Sequence, residues 1–310
     1  MPPWRMGRIH LLSRRSILLT GASGFVGYHM AEALLRRGDH VVALDRAVGL
    51  DLPKGVEVLV MDLQDSASMV DLPRHWDGVI HLAGASIPSL FATAAPVVFN
   101  LELTLKLLEH LRDTAVLLVS SCHVYAPSSL RRKETDPIVP QGRYGLSKHL
   151  TEQLAPHYQG QLDIRVARPF NHLGPGQRPE LVVPSLLRRM STTSPDDRSP
   201  VQMAGWNSVR DFIDVRDVVS AYMAILDLEA PAHTTFNVCT GRATSIEDVV
   251  KTVLDLQGVQ RQIEFQGHPN STDDIPYLVG DPTRLTEATG WTPQRTLADS
   301  LNTMLKSLHS

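Results

Sequence analysis

Residues Ser16 to Arg46 constrain this chain more than any other stretch. An apolar run, Ile17-Leu18-Leu19, leads into Thr20-Gly21-Ala22-Ser23-Gly24-Phe25-Val26-Gly27, then a helical stretch to Arg37 and a second apolar run, Val41-Val42-Ala43-Leu44, ending on Asp45. Strand, glycine turn, helix and strand make one βαβ unit, and Gly21, Gly24 and Gly27 carry the spacing of a dinucleotide fingerprint. Gly21 lets the chain turn sharply off the strand, Gly24 has no Cβ to block a pyrophosphate, and Gly27 lets the helix pack close to the sheet. Phosphates, flanked by Phe25 and Val26, would sit on the helix N-terminus, where free N–H groups and the dipole favour an anion. Asp45 lies 18 residues past Gly27, where a carboxylate accepts hydrogen bonds from the adenosine ribose and favours NAD(H). Arg46 next door suits the 2′-phosphate of NADP(H), so both cofactors stay open, with the balance toward NAD(H).

Composition excludes more than it assigns. A formal net charge of −3, with clustered basic residues limited to short runs such as Arg36-Arg37, Arg131-Arg132 and Arg188-Arg189, offers no stripe for nucleic acid or anionic lipid. The two cysteines, Cys122 and Cys239, have neither disulfide nor zinc spacing, which points to a reducing cytoplasm. The 13 histidines show no i, i+4 pairing, so no metal is expected. Arg14-Arg15 precede an apolar run of only three residues before the glycine turn, too short for a secretory signal, and residues 1–15 read as an N-terminal tail. No run of about 18 apolar residues suggests a membrane span.

Beyond Asp45, strand-like and helix-like segments alternate, which argues an α/β fold with a Rossmann-type, doubly wound parallel sheet. Val56 to Met61 and Val79-Ile80-His81-Leu82 read as strands, followed by the small-residue turn Ala83-Gly84-Ala85-Ser86. Pro96 starts a helix to about Arg112 with Asn100 in its first turns. Val116 to Val119 is a strand ending in Ser120-Ser121-Cys122-His123-Val124-Tyr125, and Ile164 to Ala167 runs into Arg168-Pro169-Phe170-Asn171-His172. Between them Tyr144 and Lys148, four apart on a predicted helix, project from one face, and a serine at a strand end can lie opposite. A lysine cation beside a tyrosine lowers the phenol from its ordinary value of about 10, the direction an acid or base near neutral pH needs.

On these residues the chain resembles the extended short-chain dehydrogenase/reductases that act on nucleotide-diphosphate sugars. Thr20 to Gly27, Asp62-Leu63, His81-Leu82-Ala83-Gly84, Asn100, Ser121 four before Tyr125, Tyr144-x-x-x-Lys148 and Arg210-Asp211-Phe212-Ile213-Asp214-Val215-Arg216-Asp217 carry the resemblance. The segment Arg168 to Gln177 looks most like the GDP-4-dehydro-6-deoxy-D-mannose reductases.

The resemblance implies a smaller substrate-binding part, drawn as 171–209 plus 241–310, beside a cofactor domain of 16–170 plus 210–240. It implies that Ser121 meets the substrate oxygen, that Tyr144 transfers the proton, and that Lys148 holds the nicotinamide ribose. Asp62, Leu63, Leu82, Ala83, Gly84 and Asn100 would join the fingerprint residues at the cofactor. Ser86, His123, Asn171 and Arg210 would meet the substrate, with Arg210 on a diphosphate. His123 is either a base for an unusual step or a residue packed at a strand end; no orienting carboxylate is recognisable, which favours packing. Partners are then a small molecule and, in a homodimer, a second copy.

Four departures from the family pattern matter. Ser271 stands where relatives carry a second phosphate-binding arginine, Cys122 and His123 stand where dehydratases carry acids, and Leu181 stands where epimerase-reductases carry a histidine. The expected activity is therefore NAD(P)H-dependent reduction of a 4-keto group on a nucleotide-diphosphate 6-deoxy sugar. A 4-epimerase, a ketoreductase for a non-nucleotide substrate, and a non-catalytic NAD(P) sensor are the alternatives. The proline- and aspartate-rich loop Ser194 to Pro200 is a candidate lid.

Overall fold

The computed structural model describes residues 14–46, 51–65, 68–192, 199–204, 207–231, 233–267 and 275–308. The 1–13 part of the expected tail, most of the candidate lid and Ser271 lie outside the described residues. In chain order the elements are β1 (Ser16–Thr20), α1 (Phe25–Arg37), β2 (His40–Asp45), β3 (Glu57–Val60), β4 (Gly78–His81), α2 (Ala95–His110), β5 (Thr114–Val119), α3 (Gly142–Glu152) and β6 (Leu162–Pro169). They continue with β7 (Asn171–Leu173), α4 (Val182–Thr192), β8 (Val201–Ala204), β9 (Val209–Arg210), β10 (Phe212–Asp214), α5 (Val215–Leu226) and β11 (Thr235–Val238). The last are β12 (Thr244–Ser245), α6 (Ile246–Gln257), β13 (Ile263–Gln266), β14 (Tyr277–Leu278), α7 (Thr283–Thr289) and α8 (Leu297–Ser307).

Seven strands form one sheet in the order β11-β6-β5-β4-β1-β2-β3, and every pairing in it is parallel. Parallel strands are covered on both faces, so their sequences run apolar without interruption. The period-2 alternation then divides each strand between two cores. Ile17, Leu19, Val41, Ala43, Ile80 and Leu117 join the core under α1 and α5, whereas Leu18, Val42, Leu44, Val79, Val116 and Leu118 join the core under α2. The strand order reverses between β1 and β4, and the carboxyl ends at such a reversal are where open α/β sheets bind ligands. The third strand is shorter than the sequence suggests, Glu57–Val60 against 56–61. It lies at the sheet edge, where only one neighbour holds it.

Leu173, Leu186, Leu187, Val249, Val253 and Leu301 build a separate apolar cluster among α4, α6 and α8. Segment 241–310 is not uniform, since Leu285 of α7 and Trp291 pack into the core of the large sheet. Ser245 caps α6 in a reciprocal capping box with Asp248.

The motif Arg210 to Asp217 staples these parts with three carboxylates. Asp211, wholly buried, accepts from the backbone N–H of Thr240 at 2.9 Å, Gly241 at 2.8 Å and Gly280 at 3.3 Å. Asp214 caps α5 through Arg216 N–H, pairs with the Arg216 guanidinium, and accepts from Ser300 of α8. Asp217 accepts from the backbone N–H groups of Gln294 and Arg295. An unpaired buried carboxylate is costly, so each must be met by a specific distant donor. An eight-residue stretch thus fixes four distant chain segments.

Candidate active site

The glycine turn is built as its residue types require. Gly21 has φ +74°, and a Cβ there would come within 2.7 Å of the Ala83 nitrogen. A Cβ at Gly27 would meet the Gly21 carbonyl oxygen at 2.1 Å. No side chain caps the start of α1, and its first turn has no acid, so its free N–H groups and positive dipole end face the groove.

That groove consists of two adjoining cavities. One, of ≈ 500 Å³, is lined by Gly21, Ser23, Gly24, Asp45, Arg46, Leu63, Leu82, Ala83, Gly84, Ser86, Phe99 and Arg178, among others. The other, of ≈ 260 Å³, is lined by Gly21, Gly24, Phe25, Val26, Gly27, Leu82, Ser86, Tyr144 and Lys148, among others. Gly21, Gly24, Leu82, Ser86 and Arg178 border both, so the cavities meet over the fingerprint. A dinucleotide fits this chemistry. The carboxylate lies at one end, the helix terminus in the middle, and the tyrosine and lysine at the other end.

Asp45 is already engaged with the turn: Ser23 Oγ donates to it at 2.6 Å and Arg46 N–H at 2.7 Å. The Arg46 guanidinium lies over the Phe99 ring at 5.7 Å, which leaves it at the cavity edge beside Asp45. Asp62 lines neither cavity; its carboxylate accepts from Gln64 N–H at 2.9 Å and so shapes the turn that presents Leu63.

Asn100, expected at the cofactor, has a different place. Buried in α2, its amide accepts from Ala85 N–H at 2.7 Å and donates to Ala85 O at 2.9 Å and Ser147 Oγ at 2.8 Å. Those three contacts occupy its acceptor and both donors. Asn100 therefore ties the loop after β4 to α3 and holds both walls of the groove, rather than facing it. His81 does similar work below, bridging Thr20 at 2.8 Å and Thr104 at 3.1 Å; burial drops its pKa to about 3, which keeps it neutral.

At the reacting end, Ser121 is buried and its side chain pairs with the Tyr144 phenol. Its hydroxyl also accepts from His123 N–H at 3.2 Å, which starts the short 3-10 turn Cys122–Val124. The expectation that Lys148 pulls Tyr144 below its ordinary value is not met. Burial pushes the phenol up to about 12, and the Ser121 hydrogen bond offsets only part of this. Lys148 Nζ instead donates to Val119 O at 3.0 Å, and burial drops its own pKa to about 8 against the pull of Glu152. Desolvation is the largest cause at both groups. Tyr144 is consequently a neutral O–H donor at neutral pH.

Of the residues expected to meet substrate, Ser86 lines both cavities, whereas His123, Asn171 and Arg210 line neither. The His123 ring packs edge-on to Tyr144 at 5.7 Å, and burial with the nearby Arg210 charge lowers its pKa to about 4. Asn171 and Arg210 sit on short strands of two separate small sheets, Asn171 paired with Phe212 and Arg210 with Thr244 and Leu278. Arg210 Nη1 donates to Val209 O at 3.0 Å, and the neighbouring Asp211 and Asp214 accept from the donors described above. Arg168 belongs to the framework: it pairs through two bonds with Glu152, at 2.9 and 2.7 Å, and lies over the Tyr125 ring at 4.9 Å.

Sequence reasoning missed Ser23, Ser120, His172, Arg178 and Tyr222. Ser120 and His172 lay one residue from chosen positions, but nothing in the sequence ties Arg178 or Tyr222 to the groove. Among the described residues no helix is long and apolar enough to cross a membrane, and no cluster of side chains could hold a metal ion.

The sequence model of the NAD dependent epimerase/dehydratase family matches residues 17–239. The GDP-6-deoxy-D-mannose reductase of Pseudomonas aeruginosa is 32% identical over 308 residues, spanning 95% of this chain and 97% of its own. The GDP-6-deoxy-D-talose 4-dehydrogenase of Aggregatibacter actinomycetemcomitans is 27% identical, spanning 88% and 91%. The structure of RMD from Pseudomonas aeruginosa complexed with NADPH superposes with TM-score 0.76 at 28% identity, over 94% of this chain and 98% of that one. The UDP-glucose 4-epimerase of Thermus thermophilus in complex with NAD superposes with TM-score 0.80 at 26% identity, over 95% and 99%. A sheet reversing at β1 and β4, a fingerprint at the reversal, and matches along nearly the whole chain converge: this protein belongs to the NAD dependent epimerase/dehydratase family, the extended short-chain dehydrogenase/reductases, and is an NAD(P)-dependent enzyme.

Proposed function

We propose that the protein reduces a 4-keto group on a nucleotide-diphosphate 6-deoxy sugar, a reading supported by its 32% identity to a protein named GDP-6-deoxy-D-mannose reductase. The observation that carries this reading is the meeting of Ser121, Tyr144 and Lys148 at the end of a groove that begins at a ribose-facing carboxylate. The bound nicotinamide cofactor supplies the hydride. What the chain supplies is orientation and a proton. Ser121 hydrogen-bonds the keto oxygen, and Tyr144, neutral at physiological pH, donates its O–H proton to that oxygen as negative charge develops. Lys148, charged below about pH 8, holds the ribose and stabilises the phenolate that remains.

Arg210 is the cation for the sugar's diphosphate, acting across the segments 171–209 and 241–310 that supply the substrate side. His123 shapes the wall behind Tyr144; its neutral ring and edge-on packing favour that role over a second base. Asp45 favours NAD(H), while Arg46 and Arg178 at the same cavity leave NADP(H) open.

A 4-epimerase would employ the same three residues and return the hydride to the sugar. Purified protein mixed with NADH or NADPH and GDP-, UDP- or dTDP-linked 4-keto-6-deoxy sugars separates the two. A reductase oxidises one equivalent of nicotinamide cofactor per sugar consumed. Interconversion of 4-epimers without net oxidation would replace this reading with the epimerase.

A further inference from the structure

The reacting end of the groove holds three polar atoms that the fold leaves without partners. Among the described residues Ser120 Oγ, Gln177 Oε1 and the Tyr222 hydroxyl are buried with no hydrogen-bond partner. All three residues line the ≈ 260 Å³ cavity shared by Tyr144, Lys148 and the glycine turn. Buried polar groups are nearly always satisfied, so an isolated exception could reflect strain. Three on one cavity, from the end of β5, the loop before α4 and the middle of α5, have no common local cause. They share only the space they face.

We propose that Ser120, Gln177 and Tyr222 form the seat for the nicotinamide carboxamide. A carboxamide presents one carbonyl acceptor and two N–H donors on a rigid plane. Gln177 offers the matching acceptor, and its orientation is set: Nε2 donates to His172 O at 2.8 Å, which leaves Oε1 as the free end. His172 is held in turn, its ring stacked on Phe25 at 5.7 Å. The hydroxyls of Ser120 and Tyr222 donate to the carboxamide oxygen, and burial keeps the Tyr222 phenol protonated, well above its ordinary range. Phe25, Val26, Pro169 and Leu181 supply the apolar walls that a flat ring needs. A sugar hydroxyl could bond the same atoms. However, the cavity is walled by Gly21, Gly24 and Gly27, so it continues the cofactor groove.

This assignment rests on the NAD(P)-dependent activity and is independent of which sugar is reduced. The test is calorimetry of wild type, Tyr222→Phe, Ser120→Ala and Gln177→Leu, using the oxidised cofactor that binds wild type more tightly. ADP-ribose, or its 2′-phosphate, serves as the ligand without a nicotinamide, and the 3-acetylpyridine analogue as the ligand without the carboxamide N–H. Each variant should bind the full cofactor about two- to tenfold more weakly, the worth of one neutral hydrogen bond. ADP-ribose affinity should stay within twofold. Gln177→Leu should leave the acetylpyridine analogue within twofold, because that ligand has no N–H to offer. Ligand-free Tyr222→Phe and Ser120→Ala should melt no lower than wild type, since neither loses a protein hydrogen bond. Equal losses for ADP-ribose and full cofactor, unchanged affinity in all three variants, or a marked fall in ligand-free melting temperature would each overturn the proposal. Failure of wild type to bind even ADP-ribose would instead remove the cofactor site on which the proposal rests.

Discussion

The two ends of the groove are made in opposite ways. The turn and the charged groups of the fingerprint end come from one contiguous stretch, since Gly21, Ser23, Gly24, Asp45 and Arg46 lie within 26 residues of one another, while Leu63, Leu82, Phe99 and Arg178 complete its walls. Its contacts are largely backbone geometry and helix dipole. The reacting end draws Ser120 from just past β5, Tyr144 and Lys148 from α3, Gln177 from the loop before α4, and Tyr222 from α5, with Ser121 set against Tyr144. Its properties, above all a phenol pushed up to about 12 beside a lysine dropped to about 8, come from burial that only the folded chain creates. One end binds by local architecture, and the other acts by tertiary environment. The first should therefore tolerate remote changes that disable the second.

The largest effect expected from that division is at Tyr144. Tyr144→Phe should lower kcat by about two to four orders of magnitude, the usual worth of a positioned acid, while cofactor affinity changes less than twofold. A comparable loss of cofactor affinity would show that the two ends are not separable.

Lys148 sharpens the comparison because the role proposed for its ammonium couples turnover to cofactor binding. Lys148→Met should lose about an order of magnitude or more in kcat as well as weaken cofactor binding, because a charge-assisted hydrogen bond to the ribose goes with it. In the wild type, burial holds Lys148 near 8, so it is charged below that pH and neutral above it. Accordingly kcat/KM should fall as pH rises through about 8, and Lys148→Arg should move or abolish that limb because a guanidinium stays charged. A profile flat to pH 10 in the wild type would contradict the role of the ammonium.

Arg210 extends the comparison to the substrate. Arg210→Ala should weaken the nucleotide sugar about tenfold to a hundredfold, the value of one charge-assisted contact, and leave the cofactor untouched. The family resemblance puts a second arginine at the position of Ser271, and on that reading Ser271→Arg should tighten the same ligand. Calorimetry with GDP, UDP and dTDP measures both. Tight binding that survives Arg210→Ala would place the diphosphate elsewhere.

The smallest effect belongs to the local end. Asp45→Ala should shift preference toward NADPH only severalfold, by removing carboxylate repulsion of a 2′-phosphate and leaving Arg46 beside it. Ser23 holds Asp45 at 2.6 Å, so Ser23→Ala should produce a weaker shift in the same direction. A strong wild-type preference for NADPH would mean that Arg46 dominates.

This contrast also explains what was legible in the sequence. Gly21, Gly24, Gly27 and Asp45 could be placed because their roles follow from spacing along one βαβ unit. Tyr144 and Lys148 could be paired because four residues on a helix share a face. Asn100 could be found but not understood, since its amide is spent on Ala85 and Ser147, a contact between α2 and α3 that no spacing encodes. The direction of the Tyr144 shift differs from the sequence expectation for a similar reason: the charge of Lys148 is written in the sequence, but the burial that raises the phenol is not. Tyr222 was invisible, because its phenol reaches the cavity from a helix that otherwise reads as ordinary core.

The most direct measurement follows a label through the reacting end. NADH deuterated at the transferred C4 position is supplied with a GDP-linked 4-keto-6-deoxy sugar, and the product is read by NMR and mass spectrometry. The account predicts one deuterium at sugar C4, one equivalent of cofactor oxidised per product, and the same label position at a sharply reduced rate with Tyr144→Phe. Product formed without deuterium at C4, or 4-epimers exchanging while the cofactor pool stays reduced, would contradict it.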